Sequence, residues 1–430
     1  MIVAIFMITL LGLLALGVPI AFCLGLSGLA MAAFVPGMTP VTAVTLFVQR
    51  MFVGVDAFVL LAVPLFILAG ALMEEGGTAT RLVDFAASLV GRVRGGLAMV
   101  LVLTSMFFAG ITGSAAADTA AVGSVMIPAM RRKGYDVPFA AALQAGAGAL
   151  GPIIPPSILM VIYAVIGNVS VAALFLGGFV PGIMIGLALM AYSGWLARRK
   201  GYAREPGVSL AEWPRRFGRA FLALLMPLII LGGILSGFFT ATESAAVAVI
   251  YSFLIGVIVY RELPLGKLPR ILYTTGLGTA RVMFLIATAN FVGFLLAHQQ
   301  VPQKIAAGML AFSREPWVIL LVINLFLLIV GCFLEVSAAL IILGPVLIPL
   351  VQSLGVDLVH FGVVVVVNLC IGTITPPVGI CLYVVSAISG ERIDRISVAA
   401  VPVIAIMVVV LGIITYVPWL ILVVPRGLGY

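Results

Sequence analysis

Apolar stretches long enough to cross a lipid bilayer follow one another along almost the whole chain. MIVAIFMITLLGLLALGVPIAF opens it, and VAAVPVIAIMVVVLGIITYVPWLILVV lies near its end. Runs of about 18 or more apolar residues are read as membrane-spanning helices. Inside a bilayer only helices and closed barrels satisfy every backbone N–H and C=O, and a barrel would show alternating segments of roughly ten residues. The chain has continuous runs instead. The expectation is an all-α polytopic membrane protein, one integral unit over residues 1–430, with room for about 11 or 12 apolar segments. With 63% of residues hydrophobic and only 9% charged, there is too little polar surface to cover a separate soluble domain.

The formal charge of +8 does not indicate nucleic acid, because the basic residues gather in short loops. WLARRKGYAREPGVSLAEWPRRFGRA carries Arg198, Arg199, Lys200, Arg204, Arg215, Arg216 and Arg219. The excess of Lys and Arg in cytoplasmic loops makes residues 197–219 a cytoplasmic basic loop between two halves, 1–196 and 220–430. RVRGG (Arg92, Arg94) and MRRKGYD (Arg131, Arg132, Lys133) fall on the same side by the same rule. The four cysteines, Cys23, Cys332, Cys370 and Cys381, lie in apolar runs without metal spacing and read as buried apolar residues. No transition-metal site and no glycine-rich nucleotide loop is expected. His298 and His360 lie near segment ends and read as interfacial. Arg50 is the first basic residue, so the N-terminus lacks a signal peptide's basic region and reads as a retained helix. Residues 1–35 cross once, with a kink at Gly17-Val18-Pro19, or twice. TATRLVDFAASLVGRVRGG, residues 78–96, is amphipathic: a helix on the membrane surface, or an arm joining a mobile part to a fixed one.

If RVRGG and MRRKGYD share a face, the segment between them must enter the membrane and return. Residues 96–130 are short for two full spans, and their middle, GITGSAAADT, is polar and small. This predicts a re-entrant hairpin with its tip at Gly110 to Thr119. Sliding the chain along itself until Gly110 lies on Gly331 also brings Gly123 onto Gly344, Pro128 onto Pro349, Asp136 onto Asp357 and Gly151 onto Gly372. Pro155-Pro156 falls on Pro376-Pro377, and Pro181 on Pro402, with no gap from 110 to 182. Four prolines coincide where chance gives about 0.4, which marks an internal structural repeat. The first copy is a hairpin at 96–130 and a broken helix at 137–167. The second is a hairpin at 317–350 and a broken helix at 358–388. MRRKGYD is strongly basic and its partner LVQSLGVD is not, so the copies are expected to be inverted, as in secondary transporters with a midplane site.

Each copy carries one distinctive interruption, GPIIPP at 151–156 and GTITPP at 372–377. Proline lacks an N–H and clashes with the preceding turn, so both stretches must unwind. The carbonyls this frees cannot face lipid. They suit a hard cation such as Na⁺, while the N-terminus of the following half-helix suits an anion. The first hairpin tip offers Thr112, Gly113, Ser114, Asp118 and Thr119; the second, GCFLEVSAA, offers Glu335 and Ser337. Intramembrane carboxylates are costly and usually functional. Asp118 and Glu335 bind a cation, carry protons or lock their hairpins. Glu243, beside Thr240 and Thr242, belongs either to a scaffold or to the site, and Arg281 reads as an interfacial anchor.

GITGSAAADTAAVGSVMIP, GPIIPPS, FLEVSAALIILGPVLIP and GTITPPVG resemble the signature stretches of the large membrane subunit of tripartite ATP-independent periplasmic (TRAP) transporters. GVPIAF, VPLFILAGALMEEGG and FFTATESAAVAV are similar to it too, so the resemblance covers essentially the whole chain. It implies a multi-pass protein of the bacterial inner membrane that imports an organic anion with Na⁺ by an elevator motion. The anion is a carboxylate, such as a C4-dicarboxylate or sialic acid. The resemblance further implies two partners: a small four-helix membrane subunit, expected here as a separate polypeptide, and a periplasmic substrate-binding protein. Carried over, a first Na⁺ site draws on Thr112, Gly113, Ser114, Asp118, Gly151 and Ile154. A second draws on Glu335, Ser337, Thr373, Thr375 and Pro376. Ser114, Pro155, Pro156, Ser157, Pro377 and Gly379 lie in the substrate's vicinity. No cofactor other than the coupling ion is implied. The competing expectations are a stand-alone Na⁺/carboxylate symporter that needs no binding protein, a channel, and an intramembrane enzyme using Asp118 and Glu335.

Overall fold

A computed structural model describes residues 2–93, 95–202, 212–313 and 315–430, and the fold is α-helical throughout these. Arg94, Arg204 and the rest of 203–211, part of the expected basic loop, lie outside the described residues. The flanks of that loop are helix ends. Arg198 to Lys200 close one long helix, and Arg215, Arg216 and Arg219 sit early in the next.

The first half begins with α1 (Ile2–Ala15), α2 (Ile20–Ala32), α3 (Pro40–Val55), α4 (Ala62–Glu75) and α5 (Thr78–Val90). Next come α6 (Gly96–Thr112) and α7 (Ala115–Arg132), then α8 (Val137–Gly148) and α9 (Ile158–Gly167), and last α10 (Val171–Lys200). The second half begins with α11 (Trp213–Leu235), α12 (Ala241–Leu254), α13 (Leu268–His298) and α14 (Val301–Phe312). It continues with α15 (Pro316–Gly331), α16 (Val336–Ser353), α17 (Leu358–Gly372), α18 (Ile380–Ser389), α19 (Ile393–Tyr416) and α20 (Trp419–Gly427). Among the described residues, seven segments are long and apolar enough to span a bilayer, including Val171–Lys200 and Ile393–Tyr416.

The register that aligns Gly110 with Gly331 holds well beyond the stretch the prolines mark. It lays α7 onto α16, α9 onto α18, α5 onto α14 and α2 onto α12 with ends agreeing within about two residues. The halves part company early on. Where the first half has α3, a short 3₁₀ turn at Phe58–Leu61 and then α4, the second has the continuous 31-residue α13. Arg281 therefore sits exposed in the middle of a helix instead of at an end. At the N-terminus, residues 2–32 form two packed helices turning at Gly17 to Pro19, where Gly17 takes a left-handed conformation (φ 78°).

α8 and α17, the helices before the two breaks, form the centre of the molecule; nearly every residue from Phe139 to Gly148 and from His360 to Gly372 is buried. In a bilayer close packing of small residues, not expulsion of water, holds helices together. α8 reads AAALQAGAG, and its Gly146 abuts Val403 of α19. The half-helices after the breaks are exchanged: α9 packs on α16 and α17, and α18 packs on α7 and α8. Tyr163 of α9 lies against Gly362 of α17 and donates from its hydroxyl to Leu358 O (2.9 Å).

His360 lies near a helix end, as expected, but its ring is enclosed by protein. It is 2% exposed in the first turn of α17, and its Nε2 lies 2.9 Å from Ile414 O of α19. A backbone acceptor on another helix, invisible from local sequence, lets the ring be buried. His298 is exposed at the end of α13. The amphipathic segment forms α5, whose Phe85 packs against Phe107 of α6 and Trp213 and Phe217 of α11. α5 thus leads from α4 into the first hairpin with its apolar face on protein.

Candidate functional site

Helix α6 stops at Thr112 because Gly113 turns left-handed (φ 64°), and Ser114 starts α7 by accepting from Ala117 N (3.5 Å). This tip rests directly on the first unwound segment. A methyl group at Gly113 would lie 2.7 Å from Pro156 O, and one at Gly151 would lie 2.5 Å from Asp118 Oδ2 and 2.9 Å from Ser114 O. Only glycine fits at either position. The Pro155-Pro156 and Pro376-Pro377 bonds are both cis.

Within the break, Leu150 O accepts from both Ile153 N and Ile154 N at 2.9 Å. Beyond it, among the described residues, the carbonyls of 151–156 accept no hydrogen bond, although all six residues are buried. Each such group costs several kcal/mol in a non-aqueous setting, of order 2–7 by transfer data, unless a cation or water meets it. Asp118 is fully buried against Gly151 of this segment. Its Oδ1 accepts from Thr112 Oγ1, and its Oδ2 has no partner. Thr112, Gly113, Ser114, Asp118 and Gly151 are thus brought together, with the Thr112 and Ser114 oxygens engaged in the tip's own hydrogen bonds and Asp118 Oδ2 unpartnered. Ile154 joins through its backbone, since its side chain packs on Gly182 of α10. Ser157 is committed to starting α9, accepting from Met160 N (3.2 Å).

Gln144 belongs here and was not singled out from sequence. Wholly buried on α8, it donates from Nε2 to Asp118 O (3.2 Å) and Thr119 O (3.5 Å), and its Oε1 has no partner. The available signal was a lone amide inside AAALQAGAGAL, where lipid or apolar packing alone would not keep it.

The second tip is built differently. Gly331, ending α15, meets Gly372 backbone to backbone: a methyl on Gly372 would lie 2.5 Å from Gly331 O. Val378 N donates to Cys332 O (3.3 Å). Glu335 stands where Ser114 stands in the first half and starts α16. Its Oε2 accepts from Ala338 N (3.0 Å), and its Oε1 from Ser337 Oγ (2.9 Å). Thr373 Oγ1 donates back to Cys370 O (2.6 Å), and Thr375 Oγ1 to Ile371 O (2.7 Å). Among the described residues no hydrogen bond joins Glu335 or Ser337 to Thr373, Thr375 or Pro376. Pro376, Pro377 and Val378 are exposed, whereas their counterparts Pro155, Pro156 and Ser157 are enclosed. Gly379, left-handed (φ 48°), begins α18.

Cys381 of α18 ties the second break to the first hairpin. Its N donates to Thr373 O (3.0 Å) and its Sγ reaches Thr373 Oγ1 (3.5 Å). The Thr119 hydroxyl of α7 approaches the same sulfur. Glu243 forms a reciprocal cap with Thr240 at the exposed start of α12, away from both tips.

The family model described as the tripartite ATP-independent periplasmic transporter, DctM component, matches residues 7–420. A C4-dicarboxylate TRAP transporter large permease protein from Pseudomonas aeruginosa is 45% identical over 407 residues, covering 94% of each chain. A sialic acid TRAP transporter large permease protein from Vibrio cholerae is 40% identical over 421 residues, covering 98% of each. Among solved structures, the Alcanivorax borkumensis YdaH transporter superposes with a TM-score of 0.66, covering 95% of this chain and 97% of that one at 14% identity, a likeness of fold.

Proposed function

Since the chain belongs to the DctM component family of TRAP transporters, a family of multi-pass inner-membrane permeases and not of enzymes, we propose that it imports a small organic anion coupled to Na⁺. The observation that carries this reading is a buried layer, 151–156, whose carbonyls accept no hydrogen bond among the described residues, with the unpartnered Oδ2 of Asp118 set against its Gly151. Such a layer wants a small hard cation. The ion would neutralise the carboxylate and draw the hairpin tip onto the break. A second ion fits the Gly331–Gly372 junction once the Thr373 and Thr375 hydroxyls turn outward. The anion then lies between the two half-helices, near Ser157 of α9 and Gly379 of α18, whose N-termini carry partial positive charge.

The remaining parts follow as one mechanism. α6–α9 and α15–α18, interlocked by the exchanged half-helices, move together as the carrier, and α1–α4 and α11–α13 form the frame. The basic loops face the cytoplasm and the copies are inverted. A small membrane subunit braces the frame, and a periplasmic binding protein delivers the anion. A carboxylate is the first choice of substrate. Relatives named for a C4-dicarboxylate and for sialic acid match at similar identity, so the order of candidates comes from assay.

The test is uptake into proteoliposomes holding this chain with its small subunit. A radiolabelled C4-dicarboxylate and sialic acid are each supplied with and without a binding protein, under an imposed Na⁺ gradient. Saturable uptake that needs both the gradient and the binding protein is expected. Uptake without the binding protein would establish a stand-alone symporter, and uptake indifferent to Na⁺ would remove the ion from the scheme.

A further inference from the structure

The two halves can be compared with each other at the base of each hairpin, and there they differ. In the first half the base is sealed. Gly95 lies within van der Waals reach of Ala197, with a methyl on Gly95 placed 3.3 Å from Ser193 O. α10 runs unbroken past it to Lys200. Tyr202 folds back to stack on Tyr135 (centroids 4.2 Å apart), its hydroxyl accepts from Asp136 N (3.2 Å), and Lys200 pairs with Asp136 (3.2 Å).

In the same register the second half has Pro316 for Gly95, Trp317 for Gly96, Pro418 for Ala197 and Val423 for Tyr202. Two prolines replace the small residues that let the helices touch. α19 ends at Tyr416 and the chain turns outward into α20. The result is a cavity of about 760 Å³ where the first half is filled. The acid–base pair is retained, as Asp357 and Arg426 (3.4 Å). Asp357 Oδ1 is committed to capping α17, accepting from Val359 N (2.9 Å) and His360 N (3.1 Å), but Oδ2 keeps a further lone pair and the Arg426 guanidinium further donors. Trp317, Leu320, Trp419, Leu422 and Val423 give it a largely apolar wall, with His360, Thr415 and Tyr416 among the lining. Trp317 and Trp419 are 56% and 66% exposed at its rim, the placement of interfacial aromatic belts.

We infer that this cavity is a binding site for a zwitterionic phospholipid bearing a primary ammonium. The phosphate sits on Arg426, the ammonium on Asp357, and the first methylenes of an acyl chain lie between the two tryptophans. A headgroup carrying both charges matches the paired residues, whereas a purely anionic one leaves Asp357 facing negative charge. The site is separate from the transport breaks: the length of α15, about 24 Å at 1.5 Å per residue, lies between it and the Gly331 tip. It does not rest on the reading of the chain as a Na⁺-coupled importer.

The first half supplies the control. As Tyr202 fills the first base, a tyrosine can fill the second: Val423 lines the cavity, so Val423→Tyr adds a ring to its wall and should occupy it while keeping both Asp357 and Arg426. The full chain, delipidated in detergent, is titrated with phosphatidylethanolamine or phosphatidylglycerol of identical acyl chains. Binding is read by native mass spectrometry and by the shift in melting temperature. One phosphatidylethanolamine per chain is expected to bind at least tenfold more tightly than phosphatidylglycerol. That copy should be lost in Val423→Tyr, whose lipid-free melting temperature is unchanged, and weakened in Arg426→Gln. Equal binding of the two lipids would overturn the proposal, as would unaltered binding in both variants. Displacement of the lipid by a transported organic anion would make the cavity a solute site instead.

Discussion

Asp118 carries the sharpest chemistry in the molecule. Its carboxylate is buried, holds one hydroxyl and leaves Oδ2 bare against Gly151, in a segment whose carbonyls accept no hydrogen bond among the described residues. A bare carboxylate held away from water is stable only when a cation or a proton neutralises it, and the charge is what the ion would need. Asp118→Asn keeps the shape and the Thr112 hydrogen bond but removes the charge. The expected outcome is at least a tenfold rise in the Na⁺ concentration for half-maximal uptake, about 1.4 kcal/mol, with an equal or higher melting temperature in the absence of Na⁺. An unchanged Na⁺ dependence would make Asp118 a tie for its hairpin and nothing more. Sequence reasoning reached Asp118 because an acidic residue in an apolar run stands out. It grouped Glu335 with it for the same reason, yet the structure separates their surroundings: Glu335 is exposed and holds the first turn of its own helix. Gln144 and His360 escaped notice as site and core residues because their meaning comes from acceptors on other helices, Asp118 O and Ile414 O.

At the scale of helices, the exchanged half-helices decide how the two breaks influence each other. α18 belongs in sequence to the second break but lies on α7 of the first hairpin, and Cys381 is where Thr373 and Thr119 converge. On the proposed two-ion reading, filling one site would shift a helix that borders the other. Cys381→Ala removes the sulfur contact with little change of volume. It should leave uptake measurable while lowering the steepness of its Na⁺ dependence, seen as a Hill coefficient falling toward 1 in proteoliposomes. A coefficient equal to that of the parent protein would locate the coupling elsewhere. Proline, glycine and charge announced the hairpins and the breaks, because each acts on its own backbone. The exchange had no such mark. Its contacts are Gly362 with Tyr163, Gly344 with Ile166 and Gly123 with Ile388, ordinary apolar pairs whose partners lie a half-chain away.

For the molecule as a whole, one repeated backbone plan yields two unequal halves. The first break is enclosed under its hairpin, and the second opens outward at Pro376 to Val378. A cysteine introduced at Val378 should be modified by a membrane-impermeant maleimide within minutes in the resting protein, and one at Ile153 should stay unreacted for hours. Equal reactivity would mean that the two sides are equally open. The plan itself was readable from four coincident prolines, but the inequality was not, since it arises from packing around residues that are nearly the same in both copies.

That lopsided wrapping has a temporal meaning. Under the proposed reading, a visitor arriving from solution would meet the outer fissure first and reach the inner one only after the structure had yielded, so the pair would be served in turn. The outer fissure would then be the antechamber, with departure in reverse through the same door or after the far wall gives way.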